Sequence, residues 1–71
     1  MVDFQALKDS IKESGVTMAA LSRKTGILRE TLYNRLDGKG EFKASEISAI
    51  SSVLRLTREE RDSIFFAEER E

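Results

Sequence analysis

The sequence predicts an all-α fold, a compact bundle of about five short helices. Three observations support this: apolar residues recur at helical spacing in several segments, capping residues and glycines separate those segments, and the chain contains no proline. No segment alternates apolar and polar residues as a half-buried strand does. A chain of 71 residues buries one small core, so we expect residues 1–71 to form a single domain.

Helices 1 and 2 are each predicted from a capping residue, a short apolar pattern and a terminating glycine. Helix 1 covers about residues 4–14, between Asp3 and Gly15. Helix 2 begins after Thr17 and has barely two turns before Gly26 ends it. The side-chain oxygens of Asp and Thr accept hydrogen bonds from free amides of the first turn, and glycine readily adopts the left-handed conformation that closes a helix.

Helix 3 is predicted over about residues 28–37. Apolar residues recur there every four positions, and Gly38 follows as the terminating residue. A tight turn at Gly26 joins helices 2 and 3, and Ile27 in this turn is expected to reach the core. Ser22 is small enough to let the two helices approach closely. The pattern therefore predicts two short helices that cross steeply.

Helices 4 and 5 complete the bundle. Phe42 is expected to anchor the chain before helix 4, which covers about residues 44–55. Thr57 and Glu60 match a capping box, in which each side chain accepts from the other residue's amide, and they start helix 5 at about residues 58–69. The predicted core consists of aliphatic residues on the inner faces of the helices: Leu7, Ile11, Leu21, Ile27, Leu32, Leu36, Ile47, Ile50 and Leu54.

The composition argues against an enzyme. The chain has no histidine and no cysteine, so it lacks the usual general base near neutral pH, thiol nucleophiles and the commonest metal ligands. It has no glycine-rich phosphate loop and no long apolar segment. We therefore expect no catalysis, no cofactor, no metal, no small-molecule substrate and no membrane contact, and we expect a soluble cytoplasmic protein.

Charge is distributed unevenly along the chain. Twelve basic and thirteen acidic residues give a formal net charge of −1, whereas nucleic-acid-binding proteins are usually basic. Residues 8–43 carry a formal charge of +3, and residues 44–71 carry −3. This distribution permits a basic part that faces a polyanion and an acidic C-terminal part.

Residues 17–38 resemble the helix-turn-helix of the Cro/repressor family. The resemblance lies in the turn glycine Gly26, the pair Leu21 and Leu32 between the two helices and the closing Gly38. Residues 4–57 follow that family's order of helices, and the sequence from Thr31 to Lys43 is similar to short regulators of temperate phages and prophages. The resemblance implies a lambda-repressor-like DNA-binding fold and a sequence-specific transcriptional regulator that binds double-stranded operator DNA without a cofactor.

By matched position, the resemblance implies base contacts in the major groove from Arg29, Glu30 and Asn34. Arginine pairs bidentately with guanine, asparagine pairs with adenine, and glutamate accepts from cytosine. Glu30 has the alternative of orienting Arg29 or Arg35.

A second predicted set contacts the DNA backbone. Thr31 is expected to touch a thymine methyl group or a phosphate. Tyr33 is expected to bond a phosphate or to cover the seam between helices 3 and 4, and we favour the packing role. Each cation that neutralises a phosphate releases counterions, so affinity should fall with salt. The full predicted set is Thr17, Arg23, Thr31, Tyr33, Arg35, Lys39 and Lys43.

Three residues depart from the family pattern. Met18 stands where a glutamine that contacts DNA is common, and Arg35 replaces an apolar residue late in helix 3. Leu28 stands where Ser or Thr usually caps the recognition helix, and losing that cap costs about 1 kcal/mol of helix stability unless another group caps the helix. These departures concern the details of recognition and leave the fold prediction unchanged.

The last helix suggests self-association. Ile64, Phe65 and Phe66 span about 200° around a helix, more than one core-facing stripe needs. We expect a homodimer through residues 58–67, which would place two recognition helices about one DNA turn apart. The alternative is that both phenylalanines fold back into the core.

A second function remains open at this point. The acidic net charge, the recognition helix without a cap and the apolar C-terminal residues would also suit a protein-interaction module. Such a module would use the same fold to bind another phage regulator protein, as a modulator or antirepressor.

Overall fold

A computed structural model describes residues 1–67 and folds them into five α-helices around one core, which confirms the all-α prediction. None of these residues forms a β-strand. The helices are α1 (Phe4–Ser14), α2 (Met18–Thr25), α3 (Arg29–Leu36), α4 (Ala44–Leu54) and α5 (Arg58–Phe65).

The predicted helix caps are present. Asp3, Thr17 and Thr57 each accept a hydrogen bond from the amide three residues further along the chain, at 3.0 to 3.1 Å. The Glu60 carboxylate in turn accepts from the Thr57 amide at 2.8 Å, so the capping box of α5 is complete. Gly26 closes α2 with φ +78°, a conformation that residues with a Cβ rarely adopt.

The core brings together residues from all five helices. Phe42, in the loop before α4, packs edge-on against Phe65 with ring centroids 5.3 Å apart, so its predicted anchoring role is confirmed. The predicted core residues Ile27, Ile47 and Leu54 are only partly buried and pack against the outside of the cluster. The buried apolar residues are Leu7, Ile11, Leu21, Leu32, Leu36, Ile50, Ile64 and Phe65.

The predicted bounds of helices 3 and 5 need correction. Leu28 precedes α3 as its N-cap residue, and α3 ends at Leu36, so Gly38 lies one residue beyond the C-cap. Helix 5 ends at Phe65 rather than near residue 69, because Phe66 leaves helical geometry with φ −130° and ψ 40°. Positions 68 and 69 of the predicted helix lie outside the described residues.

The packing of the helices leaves one side of α3 open. α2 packs against α3 and α4, and α1 packs against α3, α4 and α5.

The amide of Asp3 donates to the carbonyl of Ile64 at 2.7 Å, and the amide of Ala67 donates to the carbonyl of Met1 at 3.0 Å, so the N-terminal residues run along the end of α5. Within residues 1–67, every helix is too short or too polar to cross a bilayer.

Candidate nucleic-acid interface

α3 has one buried side and one polar, exposed side. Leu32 and Leu36 are 1% and 8% exposed and hold the helix against its neighbours. The exposed residues lie on the opposite side and form two adjacent rows. Within each row the residues are four positions apart, so together they make one continuous stripe along the helix. They are Arg29, Glu30, Tyr33, Asn34 and Asp37, and we call them the α3 outer stripe.

The side chains predicted to read bases have no partners within residues 1–67. Arg29, Glu30 and Asn34 make no side-chain hydrogen bond or ion pair there, so the guanidinium and amide groups point outward with their donors available. The alternative role of Glu30 is not seen, because this carboxylate contacts neither Arg29 nor Arg35. Tyr33 is 50% exposed, so covering a seam between helices occupies only part of its surface.

The first turn of α3 has no side-chain cap, as the sequence predicted. Leu28 is 75% exposed and offers no acceptor to the amides of this turn. Beside it lies an open groove of about 400 Å³, whose walls include Leu28, Thr31 and Lys43. The structure therefore brings three of the predicted backbone-contact residues, Thr31, Arg35 and Lys43, to one groove beside the first turn of α3.

Exposed cations flank the α3 outer stripe in the chain. Arg23 lies in the last turn of α2, Lys39 in the loop after α3, and Lys43 at the N-cap of α4. In the part of the chain that the structure describes, none of these side chains forms an ion pair. Lys24 is also exposed beside Arg23, and the sequence prediction missed it although basic residues in a last turn are a recognisable signal.

Thr17 has a structural role at the start of α2. Its Oγ1 accepts from the Ala20 amide at 3.1 Å and caps the helix. The hydroxyl hydrogen is not used by this bond, so the exposed Thr17 side chain retains one donor.

Arg35 forms an ion pair with Glu46 of α4. Its Nε donates to Glu46 Oε1 at 3.1 Å, and one terminal nitrogen lies 3.5 Å from Oε2. The two side chains are only 18% and 11% exposed. Arg35 therefore joins α3 to α4, and its predicted phosphate contact stays a prediction.

The charge state of Glu46 reflects its neighbours. Burial acts to raise the pKa of this carboxyl group, but hydrogen bonds from the Lys43 amide and from Arg35, together with the charges of both residues, outweigh burial. The pKa of Glu46 consequently lies below its ordinary value, and the ion pair is fully formed at neutral pH.

The C-terminal apolar residues are divided between the core and the surface. Ile64 and Phe65 are 5% and 2% exposed, so the prediction that they form a dimer interface is wrong, because the core encloses them. Phe66 is 43% exposed. It lines a groove of about 510 Å³ with Phe4 and Phe42, and a smaller groove of about 210 Å³ with Ile47. We call Phe66 and these two grooves the Phe66 surface.

Comparisons with known protein families, with characterised proteins and with solved structures found no significant match. Within residues 1–67, no three acidic side chains lie close enough together to hold a metal ion. The function is therefore inferred from the α3 outer stripe and the cations around it.

Proposed function

We propose that this protein is a sequence-specific DNA-binding transcriptional regulator of the phage or prophage type, in which α2 and α3 form a helix-turn-helix. One observation carries the proposal: α3 buries two leucines and turns outward a stripe of polar side chains that have no partner within residues 1–67. An α-helix fits the major groove of B-DNA, where every base pair offers a distinct pattern of donors and acceptors. The α3 outer stripe supplies the groups that read this pattern.

The three base-reading residues lie within two turns of α3. Arg29 and Asn34 are five positions apart in the helix, about 7.5 Å along its axis, which is roughly two base-pair steps of about 3.4 Å. Arg29 would read guanine, Asn34 adenine, and Glu30 the amino group of cytosine. Each good pair discriminates against the wrong base by about 1–3 kcal/mol.

The flanking residues would hold the helix in register on the phosphates. Arg23, Lys39 and Lys43 supply three cations without an ion pair to any other described residue, and Thr17 and Thr31 supply hydroxyl groups. Three neutralised phosphates give a slope of roughly −3 when the logarithm of the association constant is plotted against the logarithm of salt concentration. A net charge of −1 does not oppose this, because the acidic excess lies in residues 44–71.

A homodimer on a pseudo-palindromic operator completes the proposal. Phe66 is exposed and lines two grooves, the smaller of which has mainly apolar walls, so the same surface carries both an exposed ring and a recess. This combination suits an isologous contact, in which each copy inserts its ring into the other. Two copies would present two α3 helices to half-sites about 34 Å apart.

Binding to selected DNA tests the proposal. Duplexes enriched from a random pool by the wild-type protein would be titrated at several salt concentrations. Changing Arg29→Ala together with Asn34→Ala should weaken binding by about a hundredfold, since two base contacts are lost. The matched control, Lys12→Ala with Gln5→Ala on the exposed side of α1, also removes one cation and one amide and should bind normally.

A second function is favoured by the exposure of Phe66 and by the charge of the α3 outer stripe, where Arg29 is outnumbered by Glu30 and Asp37. In this alternative the protein is an interaction module that binds another regulator, as a modulator or antirepressor. Regulatory activity that survives the Arg29 and Asn34 double change but disappears in Phe66→Ala would favour it.

A further inference from the structure

The guanidinium of Arg35 is enclosed by Glu46 on one side and by the loop before α4 on the other. Glu46 Oε1 receives both the Arg35 Nε hydrogen at 3.1 Å and the Lys43 amide hydrogen at 2.9 Å. Gly40 lies against the opposite edge, where a Cβ would stand 2.6 Å from Arg35 Nη1. One carboxylate oxygen thereby connects the last turn of α3 to the first residue before α4.

We propose that Glu46 is a positioning residue that sets the register of α3 for base reading. The inference rests on the proposed DNA-binding function and deepens it. Asn34, a proposed base contact, is adjacent to Arg35 in the chain, and Lys43, a proposed phosphate contact, is the residue whose amide Glu46 accepts. Glu46 thus fixes a base-reading group relative to a phosphate-binding group.

The remaining contacts of α3 do not supply this constraint. Leu32 and Leu36 hold the helix by apolar burial, which is not directional and tolerates small rotations. The N-terminal end has no side-chain cap, and the hydrogen bonds next to it, from the Ser22 hydroxyl to the Ile27 carbonyl and from the Ile27 amide to the Thr25 hydroxyl, fix the preceding turn. A charge-assisted bond from Nε to a carboxylate is directional, and recognition geometry requires placement within about 0.5 Å. Within residues 1–67, the Arg35–Glu46 pair is the one directional side-chain contact that α3 itself makes, and it holds the α3 outer stripe in register.

Glu46→Gln tests the inference with Glu13→Gln as the matched control. Glutamine keeps an oxygen for the Lys43 amide but loses the ion pair with Arg35. Glu13 is exposed on α1 and has no side-chain partner within residues 1–67, and both changes raise the net charge by one. Electrostatics alone predicts tighter DNA binding in both variants. If Glu46 positions α3, Glu46→Gln should weaken binding to the selected duplex by about tenfold, and Glu13→Gln should not. Binding of Glu46→Gln to a scrambled duplex should not be weakened.

Gly40→Ala provides a second variant. Its Cβ would displace the Arg35 guanidinium, and the matched control is Gly15→Ala, since Gly15 has nearly the same φ, +77° against +80°, but nothing within 4 Å of an added Cβ. Both changes place an alanine at a similar positive φ, which strains the backbone. Only Gly40→Ala should lower the ratio of affinities for the selected and scrambled duplexes.

The outcomes separate the two proposals. Loss of discrimination in Glu46→Gln and Gly40→Ala, with the controls unchanged, supports the positioning role. If wild type and Glu46→Gln prefer the selected duplex over the scrambled duplex to the same extent, the positioning role of Glu46 is overturned and the DNA-binding proposal stands. An equal loss on both duplexes would also overturn it, since a smaller folded fraction affects both alike. A wild-type protein that binds neither duplex would overturn the DNA-binding proposal and the inference with it.

Discussion

α2 and α3 are neighbouring helices of eight residues each, but they are stabilised in different ways. α2 carries its own cap at Thr17 and its own terminating Gly26. α3 has no side-chain cap at Leu28, and its stability comes from two buried leucines and from the pair that Arg35 forms with Glu46 of another helix. A helix that is held by its neighbours on one side can leave the other side free to bind a ligand.

The largest expected effect comes from removing a tertiary anchor of α3. Leu32→Ala should lower the free energy of unfolding by about 2–5 kcal/mol, because Leu32 is 1% exposed and truncation leaves a cavity. Leu28→Ala, at the 75% exposed residue just before the helix, should change it by less than about 0.5 kcal/mol. Urea unfolding followed by circular dichroism measures both, and similar losses would mean that α3 is not held from its buried side.

Removing the N-cap of α2 should have the second largest effect on stability. Thr17→Ala should lower the free energy of unfolding by about 1 kcal/mol, because the Ala20 amide loses its acceptor. Thr17→Ser, which keeps an oxygen at the same position, is the control in the same denaturation series. A loss as large in Thr17→Ser would show that the methyl group, rather than the hydrogen bond, stabilises α2.

Supplying α3 with the cap it lacks should have a smaller and opposite effect. Leu28 has ψ 141°, an extended value compatible with an N-cap residue, so Leu28→Ser should raise the free energy of unfolding by about 0.5 kcal/mol or slightly more. The midpoint of thermal unfolding would report the gain. Leu28→Ala, which removes the exposed leucine without adding a cap, is the control. If Leu28→Ser is no more stable than this control, the first-turn amides already have another acceptor.

The smallest expected effect is a dependence on pH. The folded-state pKa of Glu46 is lowered, so its contribution to stability is present above the ordinary glutamate pKa of about 4.3 and is lost as pH falls through the folded value. The difference in unfolding free energy between wild type and Glu46→Gln should therefore be largest near neutral pH and should shrink in acid. A difference that stays constant from neutral pH into acid would contradict the lowered pKa.

The local features of the fold could be predicted from sequence. The caps at Asp3, Thr17 and Thr57 and the turn at Gly26 depend on residues within a few positions of one another, and all are confirmed. The absence of a side-chain cap at Leu28 is confirmed for the same reason.

Features that depend on distant residues could not be predicted. Arg35 and Glu46 are eleven positions apart, and only the course of the loop between α3 and α4 brings them together. Ile64, Phe65 and Phe66 look equivalent in sequence, but Phe66 leaves helical geometry after the end of α5, and only Ile64 and Phe65 are enclosed by the core. The exposure of the predicted base-reading residues could be predicted, because the helical period of α3 separates them from Leu32 and Leu36.

The most direct test of the central claim is an NMR titration of the ¹⁵N-labelled protein with its selected DNA duplex. The account predicts that the largest amide shift changes fall in α3, at Arg29, Glu30, Tyr33 and Asn34, with smaller changes near Arg23, Lys39 and Lys43. Changes concentrated around Phe66 or on the exposed side of α1, with α3 unaffected, would contradict the claim that α3 reads DNA.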